Sequence, residues 1–317
     1  MHTKTNPMGL PPGWYAIGTP REFRHRKLRA VRRFGRDWII RQDRNNRWIA
    51  QEDLCPHRSA RLSQGKIIND CVTCPFHGFQ FDAHGKAAFV PEINRDAPGL
   101  RIETFELREA HGFLWIGWGG ASGELPWFED LDRHFTFASS IHVWPQHFTR
   151  CVENQLDYTH LPFVHATTIG RGFDPTLKAP CEATDRGALV RLGKSPDDPA
   201  GFEFRFPNVW MLTISRRFRQ TIAFVPVDEG HTLIYLRTYQ SFLRIPLLRQ
   251  LVTQVMGPFN TLILQQDYRV VVGQLPRDTR EAGHERLMPS DAAIRHFRKW
   301  VASAPRSELA SDSRVVK

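Results

Sequence analysis

Cys55-Pro56-His57-Arg58-Ser59 and Cys74-Pro75-Phe76-His77-Gly78 are the two stretches around which this chain has to fold. Each places a thiol and an imidazole in a short loop, and sixteen residues separate the Cys55/His57 pair from the Cys74/His77 pair. Mixed ligation of this kind suits a 2Fe-2S cluster with two thiolates, Cys55 and Cys74, on one iron and two imidazoles, His57 and His77, on the other. The long separation lets two neighbouring β-loops close over the cluster from opposite sides. Imidazole ligation also raises the potential above that of an all-cysteine cluster. A structural zinc held by the same four ligands is the plainer alternative. Cys71 forms a second pair, Cys71-Val72-Thr73-Cys74, and reads as a buried strand cysteine rather than a zinc knuckle.

Outward from these loops, 317 residues are enough for two domains of ordinary size, each with its own core. Nine Trp and 22 Phe in a 41% hydrophobic composition argue for folded domains and against disorder. No apolar run is long enough for a membrane span, and Met1 to Pro12 lacks the apolar stretch of a secretory signal. With two of the five cysteines assigned to iron, the remainder is odd and poor material for a disulfide framework. A reducing, cytoplasmic setting follows as the expectation. The net charge of +10 suggests an anionic partner or substrate. Eleven Lys and Arg fall between Arg21 and Arg47, where Trp38-Ile39-Ile40 and Arg47-Trp48-Ile49-Ala50 flank an Asn45-Asn46 turn. They are expected to decorate a hairpin face, either as a solvated surface or as a docking face for an acidic electron donor. Nucleic acid is disfavoured, because no recognition helix or ribonucleoprotein motif accompanies them.

From about Trp14 to Trp118 short apolar strands alternate with turns, which predicts an all-β module over 12–119. Gly119, Gly120, Ser122 and Gly123 mark the boundary to a second domain over 120–317. There, Phe224 to Val227 and Thr232 to Leu236 flank a hairpin turn, and Glu153 to His160 opens a helix-compatible segment. Leu247 to Val272 reads as helix, kinked or divided at Gly257-Pro258. The fold class is α+β. The tail from Ser303 is expected to fray.

Asp157-Tyr158-Thr159-His160-Leu161-Pro162-Phe163-Val164-His165 holds a carboxylate and two imidazoles in nine positions. On a helix, Asp157 and His160 would touch, whereas His160 and His165 would diverge by about 140°. Pro162 is expected to break the helix and turn His165 back toward His160. Two imidazoles and one carboxylate form the facial triad of mononuclear ferrous iron, with positions left for oxygen and substrate. Asp267, a lone acid in an apolar and amide-rich helical run, is the choice for the third ligand. Asp157 then reads as a bridge from His160 to a histidine of the cluster. The other ten histidines, His84 and His231 among them, read as surface residues.

At this point the chain resembles the Rieske non-heme iron oxygenases, specifically their catalytic α subunits. Cys55, His57, Cys74 and His77 match the cluster motif of that family, and Asp157, His160 and His165 match its Asp-x2-His-x4-His motif. Asn154 matches a position that often carries an asparagine near the iron, and Asp267 matches the C-terminal carboxylate ligand. Ser59, Phe76 and Phe79 depart from the usual glycine, tyrosine and tryptophan. The resemblance implies a β-rich Rieske domain joined to a helix-grip (START-like) catalytic domain with an antiparallel sheet. It also implies a homotrimer in which His77 of one chain faces Asp157 of the next.

The chain carries no nucleotide-binding glycine motif and no plant-type four-cysteine pattern, so an NAD(P)H-dependent reductase or a ferredoxin is expected as electron donor. The expected reaction uses O2 to hydroxylate or oxidatively demethylate a small organic substrate, aromatic by preference and with an anionic one as an option. Ring cis-dihydroxylation is the alternative within the class. Outside it stand an electron carrier without oxygen chemistry and a zinc-stabilised scaffold for an acidic partner. Phe163, Val209, Met211, Phe224 and Leu262 are the candidate pocket residues.

Overall fold

The computed structural model describes residues 8–24, 28–195, 197–243 and 246–304. The chain opens with strand β1 (Gly13–Gly18), a turn of helix α1 (Pro20–Phe23), and strands β2 (Ala30–Arg33), β3 (Arg36–Gln42) and β4 (Trp48–Glu52). Five short strands follow: β5 (Lys66–Ile68), β6 (Cys71–Thr73), β7 (Gln80–Phe81), β8 (Lys86–Val90) and β9 (Arg95–Arg101). They form their own sheet in sequence order, after which β10 (Thr104–Ala110) and β11 (Phe113–Trp118) return to the first. That first sheet has the order β1-β11-β10-β4-β3-β2. The Asn45-Asn46 turn joins β3 to β4, with Asn46 at a φ of 59°.

Beyond the glycine turn lie helix α2 (Asp130–His134), strand β12 (Thr136–Trp144), and helices α3 (Phe148–Leu156) and α4 (Leu161–Val164). Six further strands follow: β13 (Cys181–Thr184), β14 (Gly187–Arg191), β15 (Gly201–Arg205), β16 (Val209–Ser215), β17 (Phe218–Asp228) and β18 (His231–Gln240). They form a seven-stranded antiparallel sheet in the order β12-β18-β17-β16-β15-β14-β13, and helices α5 (Pro246–Val271) and α6 (Ala292–Ala302) lie against it. The hairpin expected around residues 228–231 is β17-β18. Helix α5 is continuous with Pro258 inside it, so the chain is not divided at Gly257-Pro258. The tail beyond Ala304 lies outside the described residues.

Two expectations need correction. Length suggested one core per domain, yet Trp38, Ile40 and Trp118 of the first sheet share a buried cluster with Phe224, Ile234 and Leu236 of the third. A second shared cluster joins Trp14 and Trp115 to Val209, Met211 and Tyr235. Polar contacts also fasten the two sheets together. Asn208 spans the backbone of Ala16 and Phe224, and the amides of Phe34 and Gly35 donate to Pro226 and Val227. Only the five-stranded sheet keeps a separate core, built from Leu62, Val72, Phe79, Phe81 and Val90 around Cys55 and Cys74, with Ile39 at its edge.

The basic stretch is an exposed face only in part: Arg21, Arg24, Arg29, Arg32, Arg44 and Arg47 are exposed, but Arg33, Arg36 and Arg41 are not. Arg33 is buried, with its Nε donating to the Ile17 carbonyl, and Arg41 is buried against Gln51 and Asp70. Arg36 is held by Glu52 and Glu103, and Arg47 by Asp43. His25, Arg26 and Lys27 lie outside the described residues. Arg33, Arg36 and Arg41 are therefore structural charges, and the remaining described basic residues of the stretch stay at the surface.

Candidate functional site

The two cluster loops are built alike. The Cys55 amide donates to the Ala60 carbonyl and the Ser59 amide to Cys55; in the second loop Cys74 donates to Phe79 and Gly78 to Cys74. Both loops turn at a residue with left-handed φ, 56° at Ser59 and 71° at Gly78. Glycine adopts that conformation without strain and serine does not, so Ser59 stands where the backbone favours glycine. The repeated loop geometry places Cys55 and Cys74 inside and His57 and His77 at the exposed rim, their rings 4.7 Å apart. The two aromatic departures still contact these rings, Phe79 stacked on His57 at 4.8 Å and Phe76 tilted against His77 at 3.8 Å.

Burial pushes the Cys55 thiol up to about 11; the amides of His57 and Arg58 pull it down, and the adjacent Cys74 thiol raises it further. A cation is what would convert two such adjoining thiols to thiolates. With the thiols inside and the imidazoles outside, the donor set fits a 2Fe-2S cluster with one iron on each pair. Cys71 is half-buried in β6, opposite Ile68 and apart from these loops.

Across the molecule, His160, His165 and Asp267 converge so that one ligand atom from each lies within 4.8 Å of the others. The local route differs from the expected one. Helix α3 stops at Leu156, and Asp157 is its C-cap in extended conformation. Its Oδ1 accepts from the amide and hydroxyl of Thr159, a side-chain turn that swings the chain round to His160. Pro162 does not break a helix; it lies in the first turn of α4, flanked by His160 as N-cap and His165 as C-cap. One short helical turn thus holds the two imidazoles 5.2 Å apart, and the buried face of α5 supplies Asp267 from above.

Asp267 Oδ1 lies 3.0 Å from His165 Nε2 and 3.4 Å from His160 Nε2. Two donors about 2.1 Å from a shared ion and at right angles to each other would be about 3.0 Å apart, so the spacing fits one octahedral face. His165 is held from behind by Gln266 Oε1, 2.8 Å from its Nδ1, an acceptor shared with the Thr168 hydroxyl. That contact assigns the proton to Nδ1 and turns the Nε2 lone pair toward Asp267. Gln155 Nε2 donates to the other Asp267 oxygen at 3.2 Å. His160 Nδ1 is buried and lies 3.4 Å from Asp157 Oδ2, an ion-pair contact without hydrogen-bond alignment. Burial opposes charge on His160, but the carboxylates of Asp157 and Asp267 outweigh it and carry its pKa to about 9. Burial likewise works against the Asp267 carboxylate, and the two imidazoles outweigh it and hold the acid at about 2. A buried carboxylate with this demand for positive charge, facing two directed imidazoles, fits a divalent cation.

The Nδ2 of Asn154 is buried without a hydrogen-bond partner, and Asn154 is not among the residues that line the cavity described next. The supporting amides Gln155 and Gln266 had no signature in the sequence beyond lying next to Asn154 and Asp267.

The three ligand candidates open onto a cavity of about 580 Å³ between the seven-stranded sheet and α5. Its walls are largely apolar, with Phe202, Trp210, Leu212, Phe218, Ile222 and Ile263 prominent. None of the five expected pocket residues lines it. Val209 and Met211 face the core shared with the first sheet, Phe224 is buried beyond the cavity, and Phe163 and Leu262 are exposed. His147, expected at the surface, is buried as the N-cap of α3.

Comparison with known proteins agrees with this layout. Residues 13–106 match the Rieske [2Fe-2S] domain family. The chain is 25% identical over 321 residues to protein TIC 55, chloroplastic, of Pisum sativum, covering 91% of this chain and 57% of that protein, so it spans little more than half of that relative's length. Methylxanthine N1-demethylase NdmA of Pseudomonas putida is 26% identical over 284 residues, 80% of this chain and 76% of that protein. The solved structure of NdmA from Pseudomonas putida CBB5 superposes with a TM-score of 0.76 at 22% identity, over 92% of this chain and 89% of the other. Residues 13–106 thus form a Rieske [2Fe-2S] domain, and across both halves the chain is similar in sequence to a methylxanthine demethylase and shares its fold.

Proposed function

We propose that this chain is the oxygenase component of a multicomponent system, using O2 and electrons from a separate reductase or ferredoxin to hydroxylate or oxidatively demethylate a small organic substrate. The observation that supports it best is the junction of His160, His165 and Asp267 with an apolar cavity, where a metal would face a bound molecule in place of bulk water. Ferrous iron at these three residues would supply oxygen activation, and a 2Fe-2S cluster on Cys55, His57, Cys74 and His77 would supply electrons. The chain's own residues position and exclude. Gln266 fixes the tautomer of His165, Gln155 orients Asp267, and the aromatic walls keep water from the reacting end. Asp157 braces the Nδ1 edge of His160 while remaining partly open to solvent.

His77 is exposed as well, and among the described residues no hydrogen bond or ion pair joins it to Asp157 within one chain. We propose a homotrimer in which the exposed His77 of one subunit approaches Asp157 of the next. Demethylation is favoured within the class because NdmA is named for an N1-demethylase activity.

Metal analysis and oxygen uptake test the reading together. Iron in excess of acid-labile sulfide, and substrate-dependent uptake with a surrogate reductase over aryl ethers, N-methyl compounds and aromatic acids, are expected. Iron only equal to sulfide, with no uptake, would mean an electron carrier. Zinc without sulfide would mean a scaffold.

A further inference from the structure

The cavity that meets the metal-ligand triad carries a pair of bridged amides on its walls, with Thr213 also among its lining residues. Gln220 on β17 donates through Nε2 to Asn260 Oδ1 at 2.9 Å, and Asn260 Nδ2 donates to Thr238 Oγ1 at 2.6 Å. Both amides line the cavity. Asn260 is buried and engaged at both ends, and among the described residues no donor is paired with the Gln220 carbonyl oxygen. Asn260 and Asp267 are seven residues apart on α5, a rise of about 10.5 Å that returns to within about 20° of the same face. One wall of the cavity therefore carries the ligand carboxylate at one end and an amide anchor about two helical turns away.

Charge completes the picture. Among the described residues, no Lys or Arg lines this cavity, and its acids, Asp157 and Asp267, sit with the histidines at the metal end. A carboxylate or sulfonate brought to the amide end would be desolvated without a counter-charge from the described residues, which is strongly unfavourable. A neutral hydroxyl there can donate to the Gln220 carbonyl oxygen without that cost. The overall charge of +10 therefore says little about the substrate.

Resting on the oxygenase reading above, we infer that the substrate is a neutral, elongated, mostly apolar molecule about 10 Å long. It places the carbon to be oxidised at the triad and a hydroxyl, or another neutral hydrogen-bond donor, on Gln220. Three biphenyl probes test this by calorimetric titration of the anaerobic holoenzyme. Each carries a para-methoxy group on one ring; the opposite para position holds hydroxyl, carboxylate or hydrogen. The hydroxyl probe should bind at least about 10-fold more tightly than the carboxylate and about 5-fold more tightly than the unsubstituted one. In Gln220→Leu the advantage of hydroxyl over hydrogen should vanish. A carboxylate that binds as well as the hydroxyl probe, an undiminished hydroxyl advantage in Gln220→Leu, or no binding by any of the three would each overturn the inference. The ranking in the unaltered protein stands even if the variant does not fold. Oxygen uptake with the same probes is read separately: the expected ranking without uptake would count against the oxygenase reaction and leave the binding preference standing.

Discussion

Replacing Gln266 with leucine tests the support behind the triad. The Gln266 carbonyl oxygen accepts from His165 Nδ1 at 2.8 Å and from the Thr168 hydroxyl at 2.8 Å. Thr168 is only half-buried and can turn to water, but His165 is 1% exposed and its Nδ1 proton would be stranded. An unpaired buried donor of this kind lowers the stability of the metal-free protein by about 1–3 kcal/mol. Metal affinity should fall as well, because the imidazole loses both its enforced tautomer and the electron density that the acceptor lends. Loss of such a partner typically weakens metal binding about 10–100-fold, or about 1.4–2.7 kcal/mol. Ferrous iron titrated against a chromogenic chelator measures the change, with the cluster absorbance as an internal control that should not move. Gln266→Glu keeps an acceptor on His165 and should retain or raise affinity. Leucine and wild-type proteins binding iron equally, or glutamate behaving like leucine, would refute the role given to this contact.

Three further outcomes follow from the geometry. Ser59→Gly removes a left-handed strain that the matching Gly78 position lacks and should stabilise the cluster loop by up to about 1 kcal/mol in denaturant unfolding; a loss of stability would contradict the strain argument. Asp157→Ala should leave both metal centres loaded while slowing substrate turnover about 10-fold or more, and unchanged single-turnover rates would remove Asp157 from the route. Burial depresses the His147 pKa from 6.5 to about 4, so the folded state favours the neutral ring; its contribution is complete above pH 6.5 and is lost as pH falls toward 4. That is about 3 kcal/mol, and His147→Asn, which keeps a capping oxygen for the Thr149 amide, should flatten this part of the stability profile relative to wild type.

Local spacing carried the cluster loops into the sequence reading, because Cys55/His57 and Cys74/His77 need only a tight turn to act together. Asp267 was legible for a different reason: an acid in an apolar helical run has to answer to something buried. Other features depended on packing that no local pattern encodes. Val209-Trp210-Met211-Leu212 is apolar on both faces of β16, so period two could not say which face met the cavity. The odd positions went to the shared core and Trp210 and Leu212 to the pocket. Pro162 was read as a helix breaker when it begins a helix, a distinction that depends on where the preceding cap falls. Arg33 and Arg41 looked like surface charge because their partners, the Ile17 carbonyl and Asp70, are 16 and 29 residues away in sequence.

The separate core under the cluster loops has a consequence for maintenance. Global unfolding should be a single event for the six- and seven-stranded sheets, which share their buried clusters. The five-stranded sheet can instead open as its own unit, with hydrogen exchange faster than in the rest and no exposure of the triad. A cluster carried in such a module would be open to loss and rebuilding while the half that bears His160, His165 and Asp267 stays assembled.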